Sequence, residues 1–180
     1  MNASTRFSNP IFAVIILMGF LSGCSSLAKL AGGKKGALLV LFVETTSRDP
    51  DLVRRIEWHM ENPREAFVEK EPIMEPLAIL DKAKLHNLQD GSHVVELIFN
   101  DRGAHYLEAI SIEQRTRRIF LVAFYQQKKD DTEMTARCIG VHVLENINRT
   151  GRLYFTPDIT GDEAERLIDS FNKTAKGIQR

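Results

Sequence analysis

H-V-V-E-L-I-F-N-D-R-G-A, His93 to Ala104, decides the fold. Its first seven residues alternate: Val95, Leu97 and Phe99 fall on one side of an extended chain and Val94 and Ile98 on the other, the two-residue period of a strand. Asn100 and Asp101 follow, short side chains able to accept from a free amide in the first turn of a helix. Ala104, Leu107 and Ile110 continue at helical spacing, and the helix is expected to stop near Thr116.

Downstream, Arg118 to Tyr125 is a second strong strand, with Phe120, Val122 and Phe124 on one face and Ile119, Leu121 and Ala123 on the other. Lys128-Lys129-Asp130-Asp131 is a polar connection, and Thr135 to Leu144 is expected to return antiparallel to the strand before it. Gly151 to Thr156 is a last hairpin arm that ends at Pro157. Thr160-Gly161-Asp162-Glu163 is a capping box, and Ala164, Leu167, Ile168 and Phe171 mark the buried stripe of a final helix.

Upstream, the nearly continuous apolar run Ala37 to Thr45 suits a strand buried on both faces and central in its sheet. Asp51 to Met60 is expected to form a short helix and Arg64 to Glu69 an edge strand burying Phe67 and Val68. Pro72 and Pro76 bracket a turn, after which Leu77, Leu80, Ala83 and Lys84 suit a short helix; Gln89-Asp90-Gly91 is another turn. The pattern is α+β: a mixed, largely antiparallel sheet with helices packed on one face, in a single domain spanning residues 37–180.

The first residues carry a different message. Ile11 to Leu21 is an apolar run of about eleven residues, suited to a signal-peptide core and too short to span a bilayer. Leu21-Ser22-Gly23-Cys24 then has the form of a lipobox: an apolar residue, two small ones and a thiol that can take a diacylglyceryl group. The competing reading is a core cysteine at the end of a buried helix. Residues 1–23 are therefore expected to be a lipoprotein signal peptide, Cys24 the lipidation site, and residues 24–36 a small-residue tether. Ser25 stands where an Asp would favour inner-membrane retention. The expected address is the cell envelope, lipid-anchored and facing the periplasm, with the outer membrane favoured over the inner.

Basic and acidic residues balance at 24 each, so no global field attracts nucleic acid. With Cys24 lipidated, Cys138 has no partner in the chain, and its place in a strand suits a small buried hydrophobe rather than a nucleophile. Five histidines, His59, His86, His93, His105 and His142, stand singly without metal-ligand spacing. Phosphate-loop, nucleophile-elbow and dinucleotide-turn motifs are missing, and Glu61, Glu65, Glu69, Glu71 and Glu75 form an acidic patch suited to a solvated face. No catalytic, cofactor or metal residues are assigned, and a non-enzymatic domain is expected. Two alternatives stay open: a small envelope enzyme with a site assembled from His105, His142 and the acidic patch, and a purely structural lipoprotein.

Leu97 to Ala104, Tyr106-Leu107, Thr116 and the strand Ile119 to Phe124 together resemble the head subdomain of the first periplasmic domain of SecD, a subunit of the protein-export translocase. Val143 to Gly151 is similar to that family's Ile-x-x-Gly segment, and Ile159 to Leu167 to its Phe-Thr-x-Glu-Glu-Ala-x-x-Leu helix. Glu71 to Ala83 is more weakly similar to the proline-bearing segment before the family's first helix. The polar stretch Tyr125 to Arg137 departs from the family, where small residues and proline follow the central strand. The resemblance implies the fold and a capacity to contact polypeptide, so the expected partners are the membrane, through the lipid, and a protein of the envelope.

Overall fold

The structure, a computed structural model, describes residues 37–59, 61–126 and 134–178. In chain order these form β1 (Leu38–Val43), β2 (Val53–Trp58), β3 (Arg64–Glu69), a 3-10 turn (Pro76–Ala78), β4 (Leu80–Asn87), β5 (His93–Phe99), α1 (Asp101–Glu113), β6 (Arg118–Tyr125), β7 (Thr135–Val143), β8 (Arg152–Phe155) and α2 (Gly161–Ile178). The class is α+β, and the strands of every named sheet pair antiparallel. They divide among three sheets, ordered β1-β6-β7, β2-β3 and β4-β5-β8.

Two apolar layers meet at β6. Ile119, Leu121, Ala123 and Tyr125 join the main core with β4, β5, β8 and both helices, while Phe120 and Val122 point the other way, against Ala66 and Val68 of β3. That is why Ile119 to Tyr125 reads as apolar throughout. The central strand is thus β6 rather than β1, which was expected in the middle. β1 is nevertheless buried on both faces, and its second edge is closed by Leu41 N–H donating to the Met74 carbonyl at 2.9 Å and Thr45 N–H to the Phe67 carbonyl at 2.8 Å.

Several local expectations are overturned. Residues 51–60 hold strand β2 instead of a short helix, because V-R-R-I-E-W alternates and pairs along β3 with Ile56 opposite Ala66. Leu80 and Ala83 belong to β4, also a strand. A register shift between Leu80 and Lys82 adds a residue, so both side chains reach the core three positions apart, a spacing that imitates a helix. β8 does not fold back on β7 as a hairpin arm; it pairs with β5, Leu97 opposite Leu153 and Val95 opposite Phe155. The expected return of β7 along β6 is present, while its link, Lys128 to Asp131, lies outside the described residues.

Both helix starts are set by short side chains. The Asn100 side chain accepts from Gly103 N–H at 2.9 Å, and Thr116 leaves the helix at a φ of 69°. At α2 the Thr160 hydroxyl accepts from Glu163 N–H at 3.4 Å, but the Glu163 carboxylate does not return to complete the box. It accepts instead from the Tyr125 hydroxyl at 2.6 Å and lies 3.7 Å from the Arg137 guanidinium. Ala164, Leu167, Ile168, Phe171 and Ala175 form the buried stripe of α2. Fully burying a side chain the size of Phe171 contributes roughly 1.5–3 kcal/mol. Asn172 then closes the outer edge of β4: its carbonyl accepts from Ala83 N–H at 2.8 Å and its amide donates to the Ala83 carbonyl at 3.0 Å.

Candidate functional site

A cleft of about 570 Å³ opens between the end of β2, the outer side of β7 and the segment 156–160. Its volume is in the range of small-ligand and side-chain pockets. Trp58 forms one wall, packed edge-on against Phe120 with ring centroids 6.0 Å apart, and the guanidiniums of Arg64 and Arg118 each lie 5.9 Å from its ring centre. Arg118 is fixed in turn by the Glu44 carboxylate. His59 follows Trp58 at a φ of 73°, and its Nδ1 is buried without a hydrogen-bond partner.

The opposite wall is held against β7. Asp158 N–H donates to the Ile139 carbonyl at 2.7 Å, and the Arg137 guanidinium donates to the Asp158 carbonyl at 3.0 Å. Gly140 lets the Phe155 ring pass close to β7, where a Cβ would sit 2.3 Å from Phe155 Cδ2. Cys138 also lines the cleft. Burial pushes its thiol up to about 11, which favours the neutral form at neutral pH. Trp58, Val141, Pro157 and Ile159 make the cleft apolar, with Glu61 and Asp158 among its polar lining groups.

A second feature is polar. On the outer face of the β4-β5-β8 sheet, Glu96 is 2% exposed and receives hydrogen bonds on both carboxylate oxygens. Oε1 accepts from Arg152 at 2.7 Å and from the Tyr154 hydroxyl at 2.8 Å, while Oε2 lies 2.9 Å from His86 Nε2 and 3.8 Å from Lys84 Nζ. The Tyr154 and His86 bonds, with smaller contributions from Arg152 and Lys84, outweigh burial and hold the carboxyl at about 2.

The residues singled out in the sequence are scattered. His105 Nδ1 bonds to the Asp101 carbonyl of its own helix, and His93 Nδ1 to the Asn87 side chain. His142 sits half-buried on β7, its imidazole held below the ordinary range chiefly by burial. In the acidic patch, Glu65 pairs with Arg55 and Glu69 with Arg117, leaving Glu61, Glu71 and Glu75 exposed. Among the described residues, no hydrogen bond or ion pair joins His105 or His142 to these carboxylates. Among the described residues no group of three or more His, Cys, Asp and Glu side chains is placed to hold a metal ion. Cys24, Asp130 and Asp131 lie outside the described residues. Sequence reasoning passed over Trp58, in a stretch expected to be a helix, and Glu96, whose signal is an acid in the middle of an apolar strand.

No protein-family model and no curated protein matches the chain. Solved structures do. The fold is similar to that of SecDF, described as a membrane component that enhances protein export, at a TM-score of 0.52 and 16% identity, over 84% of this chain and 68% of that one. A SecDF chain crystallised in a super-membrane-facing form matches at a TM-score of 0.53 and 15% identity, over 81% of this chain. This chain spans only 20% of the length of that second one. The domain therefore has a SecD-like fold. Among the described residues, no helix is long and apolar enough to cross a membrane.

Proposed function

We propose that this chain is a cell-envelope lipoprotein that presents a SecD-like domain from a membrane and binds polypeptide with it, without catalysis. In this reading residues 1–23 are removed on export, Cys24 takes the lipid, and residues 24–36 tether a domain of residues 37–180 that faces the periplasm. Ser25 after the lipidated cysteine favours the outer membrane. Several acyl chains, at roughly 0.8 kcal/mol per buried CH₂, would hold the protein durably. The observation that carries the binding role is the cleft beside Trp58: apolar, open, and built on a fold shared with a component that enhances protein export. An extended chain would place an apolar side chain against Trp58, Val141 and Ile159, with its backbone within reach of His59.

Trp58 is the only tryptophan of the chain, so its fluorescence reports the cleft directly. Titrating the full chain in detergent with an extended apolar peptide should shift or quench Trp58 emission saturably, and Val141→Asp should abolish the change. An emission spectrum unmoved by apolar peptides at high concentration would count against the cleft as a polypeptide site.

A further inference from the structure

We infer that the outer face of the β4-β5-β8 sheet is a docking surface for an anionic lipid head-group layer, an inference that rests on the tether reading above. Strand register places Lys84 opposite Glu96, His86 opposite Val94 and Lys82 opposite Ile98, with Tyr154 and Arg152 opposite Glu96 and Ile98 on the other side. Residues directly opposite in antiparallel strands share a face, so these eight side chains form one surface. Lys82, Lys84 and Arg152 are basic, and Glu96 is the one carboxylate among the eight.

Burial decides what solvent meets. The Glu96 side chain is 3% exposed, whereas those of Lys84, His86 and Arg152 are 40%, 45% and 48% exposed. The carboxylate lies beneath its partners and fixes their direction, and the surface presented outward is cationic. Tyr154, 44% exposed, adds an amphipathic ring of the kind that settles at head-group depth.

A lipid layer suits this face better than a protein. Each basic side chain near an anionic surface contributes about 1 kcal/mol, too little for a stable free complex from three residues. On a tether of about a dozen residues rich in Gly, Ala and Ser, the domain would stay within roughly 20 Å of the head groups, at high effective concentration, and weak contacts would become sufficient.

The test uses the full-length protein, reconstituted in phosphatidylcholine vesicles with or without phosphatidylglycerol and labelled briefly with an amine-reactive reagent. Labelling of Lys82 and Lys84 is compared with that of Lys173 and Lys176, exposed on α2 and not part of this face. Docking is supported if Lys82 and Lys84 lose roughly threefold or more of their reactivity in the anionic vesicles alone, and high salt restores it. Equal labelling in both vesicles, or equal protection of Lys173 and Lys176, overturns the inference, and an acidic protein would then be the better occupant. The mass of the Cys24 peptide in the same sample reports the tether separately. If Cys24 is free, the protein is attached through its Cys24 thiol to a maleimide lipid in the same two kinds of vesicle, which supplies the tether, and the same lysine comparison decides the docking face.

Discussion

Tyr154 on β8 donates its hydroxyl to the Glu96 carboxylate on β5 at 2.8 Å, across strands that place the two residues directly opposite each other. With His86, Arg152 and Lys84 on the same carboxylate, Glu96 is held at about 2, against an ordinary 4.5. A depressed carboxyl stabilises the fold fully above the unfolded value and loses that contribution as pH falls toward the folded one. Stability measured by urea unfolding should therefore decline between about pH 4.5 and pH 2 more steeply in the native protein than in Glu96→Gln. At neutral pH the variant should cost about 1–2 kcal/mol, a modest figure because the stranded cations are half-exposed and can hydrate.

At Gly103 the first turn of α1 packs tightly against Phe99 and Ile79. A Cβ there would lie 2.7 Å from Phe99 Cβ and 3.0 Å from the Ile79 carbonyl oxygen, and the backbone group has little room to move. Gly103→Ala should destabilise by about 1–3 kcal/mol. Gly177, on α2 with nothing within 4 Å of its would-be Cβ, is the internal control. Gly177→Ala should be neutral or stabilising by up to about 1 kcal/mol. Equal effects in thermal unfolding would contradict the close packing at Gly103.

Cys138 is 4% exposed and its thiol is pushed up to about 11 by burial. In the native protein it should resist alkylation at neutral pH, and its labelling rate in increasing urea should track unfolding. Rapid labelling without denaturant would show the cleft wall to be open and the thiol reactive.

Residues whose neighbours in sequence are also their neighbours in space were legible from the sequence. His93 to Phe99, the Asn100 cap and the Ala164 to Phe171 stripe needed only local chemistry, and the structure has all three. What failed depended on distant partners. Nothing near Leu80 announces the register shift that makes β4 look helical, and nothing near Arg152 shows that β8 joins β5, more than fifty positions earlier, instead of β7. The candidate sites suffered most for this reason. The cleft combines β2, β7 and the segment before α2, and the Glu96 cluster draws on three strands. The capping box was legible in Thr160, yet the carboxylate of Glu163 was claimed by Tyr125 and Arg137 across the core.

The central claim, a SecD-like domain held to a membrane by its own lipid, is tested most directly by the mass of the amino-terminal peptide of the protein extracted from cell membranes. The expected peptide begins at Cys24 and carries the diacylglyceryl group on its sulfur. A mature chain that begins elsewhere, or one that begins at Cys24 with a free thiol, would contradict it.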